Sequence, residues 1–116
     1  MLRLLLVEDS PDDADLIRFE LDAAGLVYEF RQVWSERMLL RALEEFTPTI
    51  ALSDMYMPGY SGVAALQLLH ERLPTLPLFL LSGDPDCAPP GVPALLLDKA
   101  HLRLLPAMIA AATTAA

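Results

Sequence analysis

Cysteine, tryptophan and basic residues are all scarce in this chain. One cysteine, Cys87, cannot close an internal disulfide, so the fold must rest on its core, and a reducing compartment is expected. Cys87 itself is expected to do no more than pack or hold a loop position. Eight basic residues stand against sixteen acidic ones, for a formal charge of −8. That balance excludes a basic face that tracks nucleic-acid phosphates, so no direct nucleic-acid partner is expected. It fits a cationic partner or ligand, or a site that holds a metal ion. No apolar run approaches the ~18 residues of a membrane helix. Leu2 to Val7 is too short for the apolar core of a signal peptide, and Glu8-Asp9 follow at once. With 54% hydrophobic and 21% charged residues, disorder is excluded, and residues 1–116 are expected to form one soluble cytoplasmic domain.

Short apolar runs alternate with helical patterns. Leu4 to Val7 is a continuous apolar run, as in a strand covered on both faces. Ser10-Pro11-Asp12-Asp13 is a helix start: a cap, a proline suited to the first turn, and acids favoured there. Asp12, Asp13 and Asp15 are assigned to that start and given no ligand role. Leu16, Ile17, Leu21 and Ala24 predict the buried face of this helix, and Gly25 its end. Val27 to Val33 predicts a second strand. Ser35 to about Phe46 predicts a second helix, broken at Thr47-Pro48. Thr49 to Asp54 predicts a third strand, with Pro58-Gly59 stopping regular structure beyond it. Ser61-Gly62 opens a third helix, closed by Pro74, on which His70 is expected to be solvated beside Glu71 and Arg72. Leu76 to Leu81 and Ala94 to Leu97 predict two more strands, and His101 to Ala112 a last helix with Pro106 in its first turns or at a kink. Ala110 to Ala116 is either a fraying end or the point where a longer protein continues.

This alternation predicts an α/β fold of three layers around a five-stranded parallel sheet. The flavodoxin-like order, 2-1-3-4-5, sets strands 1 and 3 side by side at the switch point, where ligands bind at the carboxyl ends of the strands. Four strands end there in polar residues: Glu8-Asp9, Asp54, Ser82 and Lys99. Carboxylates this close repel by about 4 kcal/mol per pair at ~4 Å and an effective dielectric of ~20, unless protons or a cation intervene. A hard, all-oxygen set with no histidine or thiolate suits Mg²⁺. Lys99 brings a point charge for a phosphoryl group, and Ser82 a short hydroxyl donor. An ionised aspartate is already a nucleophile at pH 7, so Asp54 is the candidate acceptor and an aspartyl phosphate the product. A purely structural ion cluster is disfavoured, because three acids buried around one lysine stabilise a core poorly.

Four segments carry a resemblance. Leu5-Leu6-Val7-Glu8-Asp9-Ser10-Pro11-Asp12-Asp13-Ala14, Ser53-Asp54-Met55-Tyr56-Met57-Pro58-Gly59-Tyr60-Ser61-Gly62, Leu81-Ser82-Gly83 and Asp98-Lys99 resemble the receiver domain of two-component response regulators, over nearly the whole chain. The resemblance implies Asp54 as phosphoacceptor and Asp9 as a direct Mg²⁺ ligand. It implies Glu8 as a ligand through water, the Tyr56 main-chain carbonyl as a further ligand, Ser82 as the switch hydroxyl and Lys99 as the phosphate partner. It also implies a phosphoryl donor, the histidine of a kinase or phosphotransfer protein, and no enzymatic activity beyond the domain's own phosphorylation and dephosphorylation. The chain would then be a lone regulator, a phosphate sink or a receiver cut from a hybrid kinase, as a monomer or weak homodimer. The alternative is a non-phosphorylated pseudo-receiver that serves as an interaction module. An unrelated phosphatase with an aspartate nucleophile is disfavoured, since such enzymes usually carry a second acid at the position held by Tyr56.

Two departures from the family pattern stand out. Pro85, Pro89, Pro90, Gly91 and Pro93 lie between Ser82 and Lys99, where the family's fourth helix normally runs. Such a composition predicts that this helix is missing or degenerate, replaced by an apolar loop over the sheet. Leu96 stands where the family usually carries a switch aromatic, and Ala100 where it commonly has a proline. Any message passing through the fifth strand is therefore expected to be weak, with change confined to loops near Asp54.

Overall fold

The computed structural model describes residues 2–83 and 91–114. Its order is β1 (Leu2–Val7), α1 (Pro11–Ala23), β2 (Tyr28–Val33), α2 (Glu36–Glu45), β3 (Ile50–Asp54), β4 (Tyr56–Met57), β5 (Tyr60–Ser61), α3 (Gly62–Arg72), β6 (Leu78–Ser82) and β7 (Ala94–Asp98). A 3₁₀ segment, Lys99–Leu104, and α4 (Leu105–Thr114) follow. Five strands form one parallel sheet in the order β2-β1-β3-β6-β7, which is the expected 2-1-3-4-5 arrangement of the long strands. The expected loss of a helix after Ser82 falls largely on 84–90, as does the reading of Cys87, and both lie outside the described residues.

The apolar runs explain the layers. β3 and β6 are buried at every position, and β1 from Leu4 onward. Side chains alternate across a strand, so each run feeds two cores. Leu5, Val7, Ala51, Leu78 and Leu80 pack with Leu39 and Ala42 of α2 and with Leu66 and Leu69 of α3. Leu4, Leu6, Ile50, Leu52, Phe79 and Leu81 pack with Ile17 and Leu21 of α1 and with Leu105 and Ile109 of α4. Each fully buried leucine contributes roughly 1.5–3 kcal/mol relative to exposure. Leu96, at the middle of β7, pairs in register with Leu80 and is half-buried against the first of these cores.

Helix ends follow their caps. The Ser10, Ser35 and Ser61 side chains accept from the backbone N–H groups of Asp13, Met38 and Ala64, and satisfy donors that have no partner inside the helix. Gly25 follows α1 with φ +75, the left-handed value that ends a helix cheaply only at glycine.

Several local expectations are corrected. Pro58-Gly59 do not stop regular structure: they turn a two-residue hairpin in which Tyr56 pairs with Ser61 and Met57 with Tyr60. Gly59, at φ +79, takes the position after proline that needs a positive φ. Leu16 is 56% exposed and Ala24 is also exposed, because the buried stripe of α1 runs through Ala14, Ile17 and Leu21. The fourth long strand begins at Leu78 rather than Leu76. His70 is half-buried rather than solvated. The last helix is split: His101 breaks helical geometry at φ −121, ψ 34, and α4 starts at Leu105. Pro106 is its second residue, where a missing N–H removes no intrahelical bond.

Candidate functional site

Strand register assembles the site. Val7 pairs with Ser53, so Glu8 and Asp54 leave the sheet as neighbours. Asp54 pairs with Leu81, which sets Ser82 one step beyond it, and Ser82 pairs with Asp98, which sets Lys99 one step beyond that. The residues expected at the rim therefore converge on the carboxyl edge of the sheet. Carboxylate oxygens of Glu8, Asp9 and Asp54 all lie within 4.8 Å of one another. Glu8, Asp54 and Ser82 are buried, at 1%, 5% and 1% exposure, whereas Asp9 faces solvent. The acids thus present both an enclosed wall and an open mouth.

Lys99 answers this charge. Its Nζ lies 2.9 Å from Asp54 Oδ1, 3.4 Å from Asp13 Oδ2 and 3.9 Å from Glu8 Oε2. Burial pulls the ammonium's pKa down, but the hydrogen bond and charge of Asp54, then the charges of Glu8 and Asp13, outweigh it and hold the group above its ordinary value. Glu8 shows the opposite balance. Burial pushes its carboxyl up to about 7, although the Ser10 N–H donates to Oε1 at 3.0 Å and Lys99 pulls the other way. Among the described residues, its other oxygen, Oε2, is buried with no hydrogen-bond partner and only the longer 3.9 Å ion pair to Lys99. An orphaned buried oxygen beside two more carboxylates is the donor chemistry of a hard divalent cation that keeps part of its water shell.

The backbone around Asp54 is held closely. The Ser53 hydroxyl donates to the Asp54 carbonyl at 3.0 Å, and the Met55 N–H donates to the Leu81 carbonyl at 3.0 Å. Gly62 begins α3 directly against this point: a Cβ there would lie 1.9 Å from the Asp54 carbonyl oxygen. The backbone of Tyr56 lies in the hairpin just beyond.

Sequence reasoning missed Asp13. Its place in the sequence points only to the helix start, yet its carboxylate reaches Lys99, a contact that spans 86 positions. The available signal was weak: α1 starts two residues after the acidic pair, so its first turn must overhang the rim.

Residues 4–89 match the response regulator receiver domain family. The chain belongs to that family. The receiver domain is the signalling module of two-component systems. It is 30% identical over 106 residues to the protein-glutamate methylesterase/protein-glutamine glutaminase of Nitrosospira multiformis, covering 91% of this chain and 30% of the relative. It is 34% identical over 84 residues to the C4-dicarboxylate transport transcriptional regulatory protein DctD of Pseudomonas aeruginosa, covering 72% of this chain and 18% of that protein. The chain thus spans less than a third of the length of these curated relatives. Among solved structures, the signal receiver domain of a histidine kinase from Syntrophus aciditrophicus superposes with a TM-score of 0.78 at 26% identity, covering 98% and 91% of the two chains. The Thermotoga maritima response regulator TrrA, solved in complex with Mg²⁺-BeF, superposes at 0.79 with 20% identity, covering 97% and 99%, and shares the fold. Among the described residues, no helix of this receiver is long and apolar enough to cross a membrane.

Proposed function

We propose that residues 1–116 act as one phosphoacceptor receiver domain, taking a phosphoryl group onto Asp54 in a Mg²⁺-dependent transfer from a phosphohistidine. The contact of Lys99 Nζ with Asp54 Oδ1 at 2.9 Å carries this reading, because it sets an ammonium at the oxygen that would attack and beside the charge that would arrive. A carboxylate oxygen of Asp54 forms the new bond to phosphorus as the bond from phosphorus to the donor imidazole nitrogen breaks, and the imidazole departs. Lys99 turns from the carboxylate toward a phosphoryl oxygen and neutralises it. Ser82, the last residue of β6, supplies a hydroxyl on the neighbouring strand.

Asp9 and Asp54 would hold Mg²⁺ directly, with the Tyr56 main-chain carbonyl, and Glu8 would reach it through water. The orphaned Glu8 Oε2 and the 4.8 Å cluster fit that assignment. Bound there, Mg²⁺ supplies charge neutralisation for the phosphoryl oxygens during transfer. The donor is a histidine kinase or a histidine phosphotransfer protein, and the domain performs no chemistry beyond its own phosphorylation and dephosphorylation. A formal charge of −8 supports an output through protein contacts, without direct contact of this domain to nucleic acid.

Incubating the chain with a small acyl phosphate and Mg²⁺ tests this by intact mass. One added phosphoryl group is expected on the wild type, and none on Asp54→Asn or without Mg²⁺. A wild-type mass that never changes would favour the pseudo-receiver instead.

A further inference from the structure

Lys99 Nζ has three carboxylate neighbours, Asp54, Asp13 and, farthest at 3.9 Å, Glu8, and only Asp54 belongs to the acceptor strand. Asp13 Oδ2, in the first turn of α1, lies 3.4 Å from Nζ, against 2.9 Å for Asp54 Oδ1. Asp13 and Lys99 line one small cavity of about 60 Å³, with Ile17, Leu81 and Leu102 among its apolar walls. The side chains of Lys99 and Asp13 are 32% and 42% exposed, so water screens their pair only partly. The Ser10 cap is bonded by the backbone N–H of Asp13, not by its carboxylate, so replacing the side chain leaves the cap in place.

We infer that Asp13 is a positioning residue for Lys99, competing with the occupant of Asp54 for the ammonium and so setting how tightly a phosphoryl group is held. This rests on the phosphoacceptor reading above. When Asp54 carries its added group, the lysine must serve phosphoryl oxygens. A carboxylate in α1 that still pairs with the ammonium weakens that service. Loss of the Asp13 charge commits Lys99 to the phosphoryl group.

The test is calorimetric titration of the full chain with beryllofluoride, a stable phosphoryl mimic, in saturating Mg²⁺. Asp13→Asn is expected to bind it roughly three- to fivefold more tightly than the wild type, the scale of a half-exposed ion pair. Asp13→Ser should behave alike, and Asp13→Glu, which restores the charge, should return to within about twofold of the wild type. Asp12→Asn removes an exposed charge from the same turn and should leave affinity within about twofold. Equal affinity for Asp13→Asn and the wild type would overturn the inference while leaving the acceptor reading standing. Tightening by Asp12→Asn as large as that by Asp13→Asn would also overturn it, since general charge would then explain the effect. A wild type that binds no beryllofluoride would remove the acceptor reading and this one together.

Discussion

Gly62→Ala is expected to lose about 3 kcal/mol of stability or more, and the geometry of the site with it. The added methyl carbon would lie 1.9 Å from the Asp54 carbonyl oxygen, 2.9 Å from its carbon and 2.9 Å from Met55 Cα. All three are backbone atoms, so no side-chain rotation relieves the clash. Either the start of α3 or the end of β3 must withdraw by about an ångström. α3 cannot withdraw freely, because Ser61 caps it and Gly62 N–H bonds the Met55 carbonyl at 3.4 Å. β3 cannot, because it is paired on both sides. Urea unfolding measures the loss, with a melting point lower by roughly 10 °C or more as a second readout. Gly83→Ala is the control. Among the described residues, a Cβ at Gly83 meets nothing within 4 Å, and its effect should stay within about 0.5 kcal/mol. If Gly62→Ala unfolds within about 1 kcal/mol of the wild type, α3 and β3 can part at little cost and the close approach does not constrain the site.

The second large effect is a pH dependence of stability that runs against the usual carboxylate trend. A salt-bridged acid generally has a lowered pKa and loses stability as pH falls. Glu8 is raised, from 4.5 to about 7, chiefly by burial. Between these values the unfolded chain has released the proton while the folded chain keeps it. The folded state then binds more protons, so stability declines as pH rises through the window from 4.5 to about 7. The full contribution is present below pH 4.5, and its loss is complete above about pH 7. At 1.36 kcal/mol per pKa unit, the amount is on the order of 3 kcal/mol. With a chelator present, the wild type should lose roughly 2–3 kcal/mol between pH 5 and pH 8 relative to Glu8→Gln, which cannot titrate. Denaturant midpoints across that range provide the measurement, and parallel curves for the two proteins would contradict it. Saturating Mg²⁺ at pH 8 should restore much of the wild-type loss, because an ion held only by the folded state adds its binding energy to stability.

The rim of acids was legible before any coordinates because each member ends an apolar run. Glu8 is the first polar residue after β1, Asp54 and Ser82 are the last residues of β3 and β6, and Lys99 directly follows Asp98 at the end of β7; parallel topology leaves one place for such ends. What was not legible depended on how two distant elements abut. The Asp13 contact needs α1 to overhang the end of β7, and no local pattern reports that. Pro58-Gly59 signals a turn equally well whether or not the flanking pairs join, so the hairpin was hidden. The 3₁₀ segment Lys99–Leu104 has ordinary helix formers around His101, so no residue type announced its break. Leu16 was placed inside because it is apolar, although its angular position on α1 leaves it on the cavity beside Lys99.

The hairpin of β4 and β5 has one more consequence. Its proline and glycine fix the turn, and the Tyr56–Ser61 pair closes it before any ion arrives. A disordered loop that had to gather itself around a cation would surrender conformational freedom at the moment of capture, about 1–2 kcal/mol for each residue arrested. Here that ordering is completed during folding. A cation bound at the proposed site would then incur little ordering cost in this turn.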